Sequence, residues 1–224
     1  MRSIYQFLFK HKYELLLIAL IQHLFIGIFL RDLLIYTRII WLINMVILGV
    51  ASVGLFVEKG RRKNLIRKVL FFIVLALPMG LTIFGSNAVY LATLSLVYAI
   101  FFLFILWEVL KFLVKPSYIN SDIISASACG YFLLIEISTF LLQFIIYQNP
   151  QSFKGVDYSN IASTYIDLVY FSSITLTSIG FGDIIPTAHY TKLLTSFFGI
   201  TGQFYSVVLV GILISKFSSK TEIK

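Results

Sequence analysis

Long apolar stretches separated by short polar ones make up most of the chain. Six runs approach or exceed the ~20 apolar residues that a helix needs to cross the hydrocarbon core of a bilayer: residues 13–30, 39–57, 65–84, 89–113, 123–147 and 193–217. Between the fifth and sixth the pattern changes. Residues 148–160 are polar, 161–176 form a moderately apolar run too short to span, and 177–186 contain Gly180, Gly182 and Pro186. This predicts a short helix followed by irregular backbone. Irregular backbone exposed to lipid leaves its N–H and C=O groups unsatisfied, so the segment must be buried in protein or line an aqueous path. The predicted fold is an all-α membrane protein with six transmembrane helices and a re-entrant helix and loop before the last.

Composition agrees. Of 224 residues, 59% are apolar and 12% charged, with a mean hydropathy of +0.93; soluble domains carry about a quarter charged residues. A net charge of +8 raises the question of a nucleic-acid partner. Excess Lys and Arg in a polytopic membrane protein instead marks the cytoplasmic loops. With the N-terminus inside, only Arg31, Arg38, Lys154 and Lys192 of the 18 basic residues fall on external stretches. The expected topology is therefore a multi-pass protein of the cell membrane with both termini cytoplasmic and the re-entrant segment entered from outside. The first apolar run follows basic residues, has no small-residue cleavage site after it, and is read as a retained helix. Cys129 stands alone, which excludes an internal disulfide framework.

A polar stretch at 115–122 containing Pro116 divides the chain, since proline disfavours helical geometry in the residue before it. The expected units are a four-helix peripheral domain (1–115), a linker (116–121), a helix–re-entrant–helix unit (122–217) and a short tail (218–224) with no room for a nucleotide-binding domain.

The loop carries the chemistry. A cation leaving water needs fixed oxygens in place of its hydration shell, and successive backbone carbonyls aimed at one axis supply them. That geometry requires positive φ at alternate residues, which glycine adopts at little cost. Gly180 and Gly182 have that spacing. The segment Ser178-Ile179-Gly180-Phe181-Gly182-Asp183 resembles the signature of the potassium-channel pore family, Thr-Val-Gly-Tyr-Gly-Asp, with serine, isoleucine and phenylalanine at three positions. The lead-in Thr175-Leu176-Thr177 and the later Pro186 also match. The resemblance covers roughly 122–217. It implies K+ coordination by the carbonyls of Ser178, Ile179, Gly180 and Phe181, with the Ser178 hydroxyl at the innermost site and Thr177 and Asp183 as filter support. It further implies assembly as a homotetramer, because one such loop cannot encircle an ion, and no cofactor beyond the permeant K+. Phe181 lacks the hydroxyl that ties the family's filter to nearby aromatics. Ile174 stands where some members place a glutamate, so Asp183 needs another partner, a backbone amide or water.

Thr164 followed by Asp167 fits a capping box and predicts the start of the re-entrant helix. In the last helix Gly202 lies 20 residues after Gly182, a spacing that resembles the family's gating hinge; close helix packing explains such a glycine equally well. Gln203, Ser206, Val210 and Ile214 fall on one helical face, which as a pore lining places polar side chains beneath the filter and an apolar constriction beyond.

Six helices with a re-entrant loop resemble the voltage-gated branch of the family. However, residues 89–113 contain no arginine, and each charge crossing the field contributes only ~2.3 kcal/mol per 100 mV. Steep voltage gating is not expected, and an unidentified gating partner is allowed for. Glu136, within the fifth span, is expected to bond Ser172, Ser173 or Thr175 or to act as a pH-sensitive element; His23 is expected to make an interhelical hydrogen bond. No HExxH, GxSxG or intramembrane carboxylate pair occurs, so no enzymatic activity is expected. The competing readings are a weakly selective monovalent cation channel and a subunit of a potassium-uptake transporter.

Overall fold

A computed structural model of the chain describes residues 2–29, 35–56, 61–80, 87–114 and 121–219. The helices in chain order are α1 (Arg2–Lys10), α2 (Lys12–Phe25, continued by a tighter turn Ile26–Phe29), α3 (Trp41–Phe56, entered through a wide turn Tyr36–Ile40), α4 (Arg61–Met79), α5 (Ala88–Val114), α6 (Ser121–Gln148), α7 (Ile161–Leu176) and α8 (His189–Ser219). Two short strands, β1 (Phe153–Lys154) and β2 (Ile185–Pro186), pair antiparallel with Phe153 opposite Pro186. Among the described residues three helical segments are long and apolar enough to cross a membrane: Lys12–Phe29, Ala88–Val114 and Asp122–Gln148. The linker expected at 116–121 lies largely outside the described residues, as does most of the tail.

Helix α5 shows the solvent these helices are built for. It buries Leu94, Tyr98, Phe102, Ile105 and Val109, yet its other side presents Ile100, Leu103 and Trp107 to the surroundings. A helix apolar all round is a buried or membrane-spanning one. Helix α6 is the central post, against which α2, α5, α7 and α8 all pack.

The peripheral helices meet the re-entrant helix in a buried aromatic knot. The Trp41 ring packs on Tyr165 at 4.8 Å between centroids, and Tyr98 and Phe102 close on Phe140. Trp41 Nε1 donates to the Tyr98 hydroxyl at 3.1 Å, satisfying a donor that would otherwise be stranded. At its centre lie three polar side chains. The His23 Nδ1–H donates to Glu136 Oε1 at 2.5 Å, and the Tyr165 hydroxyl, 3.1 Å from that nitrogen, donates to Glu136 Oε2 at 3.3 Å. Both members of the His–Glu pair are sealed, with no side-chain exposure. Glu136 therefore does not reach Ser172, Ser173 or Thr175. Ser172 bonds Ser138 and Ser173 bonds the Val169 carbonyl, and Glu136 accepts instead from His23. The expected interhelical bond of His23 is this one.

Candidate functional site

The re-entrant helix α7 begins four residues before the capping pattern places it. Asn160, in extended conformation, is the cap: its side chain accepts from Ser163 N at 2.9 Å. Thr164 lies inside the first turn, where its hydroxyl donates to the Asp157 and Asn160 carbonyls, and Asp167 accepts from Asp157 N. The capping-box reading of Thr164 and Asp167 is thus corrected. Both side chains are committed to anchoring the preceding loop, and asparagine is at least as good a cap as threonine.

At the other end, α7 runs out directly into the glycine loop. Thr177 caps it, with N and Oγ1 both bonded to the Ser173 carbonyl. Ser178 N donates to Thr175 O, and the N–H groups of Ile179 and Gly180 both turn back to Ile174 O at 2.9 and 3.2 Å. These bonds absorb the carbonyls that a helix end leaves open. The carbonyl end of α7, the negative end of its dipole, therefore abuts the loop.

Three alternate residues in the loop have positive φ: Ser178 at 58°, Gly180 at 54° and Gly182 at 80°. The glycine pattern accounts for two of these. Ser178 is the one non-glycine residue with positive φ among the described residues, and no sequence signal marked it. Ser178, Ile179, Gly180, Phe181 and Gly182 are all exposed in the single chain, and a Cβ placed on Gly180 or Gly182 would meet nothing within 4 Å. Within the single chain, backbone conformation and not crowding is what these two glycines supply.

The outer side of the loop is braced. The Tyr170 hydroxyl donates to Asp183 Oδ2 at 2.6 Å, while Ile184 N donates to Oδ1 at 3.0 Å. The Tyr170 ring lies parallel to Phe181, tilted by 3° at 6.4 Å. One tyrosine thus contacts both residues that depart from, or lack, the expected partners. The backbone amide anticipated for Asp183 is there, and Tyr170 is the partner that sequence reasoning missed. The Tyr170 hydroxyl and the neighbouring backbone N–H groups hold the Asp183 carboxyl below the usual carboxylate range. A depressed carboxyl contributes its bond above the ordinary carboxylate value of about 3.9 and loses it as pH falls through the lowered value. Tyr170→Phe removes the larger cause. Asp183 is then expected to protonate at higher pH than in the native protein, followed by the carbon-13 shift of its carboxyl. An unchanged midpoint would refute the brace.

Behind Asp183 the loop closes onto the segment before α7 through the β1–β2 pair. Gly155 has φ of 92°, and a Cβ there would stand 2.2 Å from the Asp183 carbonyl. Thr187 N and Thr191 Oγ1 both donate to the Ser152 carbonyl, and Asn149 Nδ2 donates to the Tyr190 hydroxyl at 2.8 Å.

On the inner side α8 passes under the loop. A Cβ on Gly202 would sit 2.7 Å from the Leu176 carbonyl oxygen and 2.9 Å from its Cα. Gly202 is where the last helix touches the end of α7, so close packing explains it. Gln203 Nε2 donates to Ser178 Oγ at 2.7 Å, and Ser206 Oγ donates back to the Gly202 carbonyl. Ser178, Ser196, Gly199, Ile200, Gln203, Phe204 and Val207 line an open hollow. The side chains of Val210 and Ile214, expected to form the constriction, lie outside the described residues. Further out, the Tyr205 hydroxyl donates to the Ser127 carbonyl at 2.8 Å and ties α8 to α6.

No solved structure matches the chain. Residues 130–219, which run from within α6 to the end of α8 and contain the whole of this site, match a family model described as ion channel, a family of non-enzymatic proteins.

Proposed function

We propose that the chain is one subunit of a homotetrameric, potassium-selective channel of the cell membrane, conducting K+ passively. The observation that carries this is the alternation of positive φ at Ser178, Gly180 and Gly182. Successive carbonyls that share one direction are what a dehydrating cation needs, and a loop at the carbonyl end of a helix adds favourable potential. The carbonyls of Ser178, Ile179, Gly180 and Phe181 are the K+ ligands in this reading, contributed by four copies around one axis. The six apolar runs cross the membrane with both termini cytoplasmic, residues 1–115 form the peripheral unit, and 122–217 form the pore. Residues 89–113 carry no arginine to drive steep voltage gating, so the stimulus comes from elsewhere, such as a gating partner.

Purified protein in planar bilayers with K+ on one side and Na+ on the other tests this. With the two ions at equal concentration, the reversal potential is expected to lie far from zero, with the sign that opposes K+ leaving its own side. A reversal near zero would establish the weakly selective alternative, and absence of any unitary current would reject the channel reading.

A further inference from the structure

We propose that Gln203 is a positioning residue for the inner end of the filter, its amide holding the Ser178 hydroxyl and, through it, the left-handed backbone at that residue. The proposal rests on the channel reading above and assigns a task that neither the family match nor the glycine pattern assigns.

Left-handed geometry crowds the Cβ of an L-residue against the following carbonyl oxygen. Such conformations persist where the surroundings over-determine them. Gly180 and Gly182 need no such help. Ser178 does, and it departs from helix α7 just where the loop begins. Its N–H bond to Thr175 O at 3.1 Å fixes one side of the residue but leaves the side chain free to turn. Serine has no β-branch to restrict χ1, unlike threonine, so nothing in its own covalent structure aims the hydroxyl. The side chain that reaches it is Gln203, at 2.7 Å, from a helix pressed against Leu176 at Gly202. The anchor is therefore rigid at its base.

The chemistry of the bond is specific. A hydroxyl has one donor and two acceptor lone pairs. The Gln203 N–H occupies one lone pair, leaving the other and the hydroxyl proton to face the hollow. Four such bonds in a tetramer would set four hydroxyls in one orientation at the inner mouth, and the left-handed backbone would keep each Ser178 carbonyl in register with those above.

The test is a double-mutant cycle on the assembled protein, read as the K+/Na+ permeability ratio. Gln203→Met keeps length and removes the donor. It is expected to lower the ratio by about tenfold, the scale of one net hydrogen bond. Ser178→Gly removes the hydroxyl and accepts positive φ without strain. In that background Gln203→Met should change nothing further, because residues acting through one bond are non-additive. A native ratio in Gln203→Met overturns the proposal, as does an undiminished effect of Gln203→Met in the Ser178→Gly background, which would mean that Gln203 acts on the ions by itself. Should either variant carry too little current, the stabilisation of the tetramer by K+ over Na+ in thermal unfolding gives the same cycle with the same two overturning outcomes. Failure of the channel reading is distinguishable, because it appears in the unmutated protein as a lack of K+ selectivity.

Discussion

Replacing Gly182 by alanine is expected to abolish K+ current, by more than a hundredfold, while leaving the assembled protein intact. Gly182 has φ of 80° and, within its own chain, open space where a Cβ would go, so the loss does not come from collision inside the subunit. It comes from the backbone. An alanine in the left-handed region costs about 1–2 kcal/mol, and in a fourfold assembly that strain acts four times on one ring of carbonyls. The cheapest release is rotation of the peptide, which turns a carbonyl away from the axis and leaves an amide facing a cation. Bilayer recordings alongside size-exclusion chromatography separate the two effects. Selective current of native size from Gly182→Ala would overturn the assignment of this loop as the ion path. Gly155→Ala differs in kind. There the Cβ would run into the Asp183 carbonyl, so loss of current is expected to come with loss of folding.

The second large effect is expected at the sealed His23–Glu136 pair. Truncating one end of a buried, hydrogen-bonded pair costs about 3–5 kcal/mol, because the other end is left without its partner. His23→Ala should destabilise the protein by that amount in thermal or denaturant unfolding. It should also lower channel activity, since Glu136 holds the hydroxyl of Tyr165 on the re-entrant helix. Replacing both His23 and Glu136 by leucine is expected to recover most of the stability, as apolar replacements of buried pairs are often near neutral. Current should recover less, because Tyr165 still lacks its acceptor. Native stability in His23→Ala would mean that the pair does not bind the peripheral helices to the pore unit.

Local features of this protein were legible in the sequence, and those made by distant segments were not. Gly180 and Gly182 could be read because positive φ is written in residue type. Ser178 could not, since serine is not marked for it and the Gln203 bond that supports it comes from another helix. Capping was misread for a related reason. Ser159, Asn160, Ser163 and Thr164 all have capping side chains, and the choice among them depends on Asp167 being taken by the Asp157 amide. Glu136 was recognised as a buried carboxyl in need of a partner, but that partner, His23, lies 113 residues earlier in the chain. Tyr170 was overlooked because a tyrosine on an apolar helix carries no signal until the loop folds back over it. Gly202 was readable as a glycine with a reason, and the nearness of Leu176 supplies the packing one.

The bonds that fasten α8 have a mechanical consequence. Its filter-side end is pinned through Tyr190 and Thr191 to Asn149 and Ser152, just past the end of α6, and Tyr205 fastens it again partway along, to α6 itself. Residues 206–219 then carry the helix about 20 Å further, at 1.5 Å per residue. A bend of about 20° at Tyr205 would swing its tip by about 7 Å while the section beneath the filter stayed still. Helix α8 is in effect a beam held at two places along its length, in which a bend beyond the second is levered about one tyrosine.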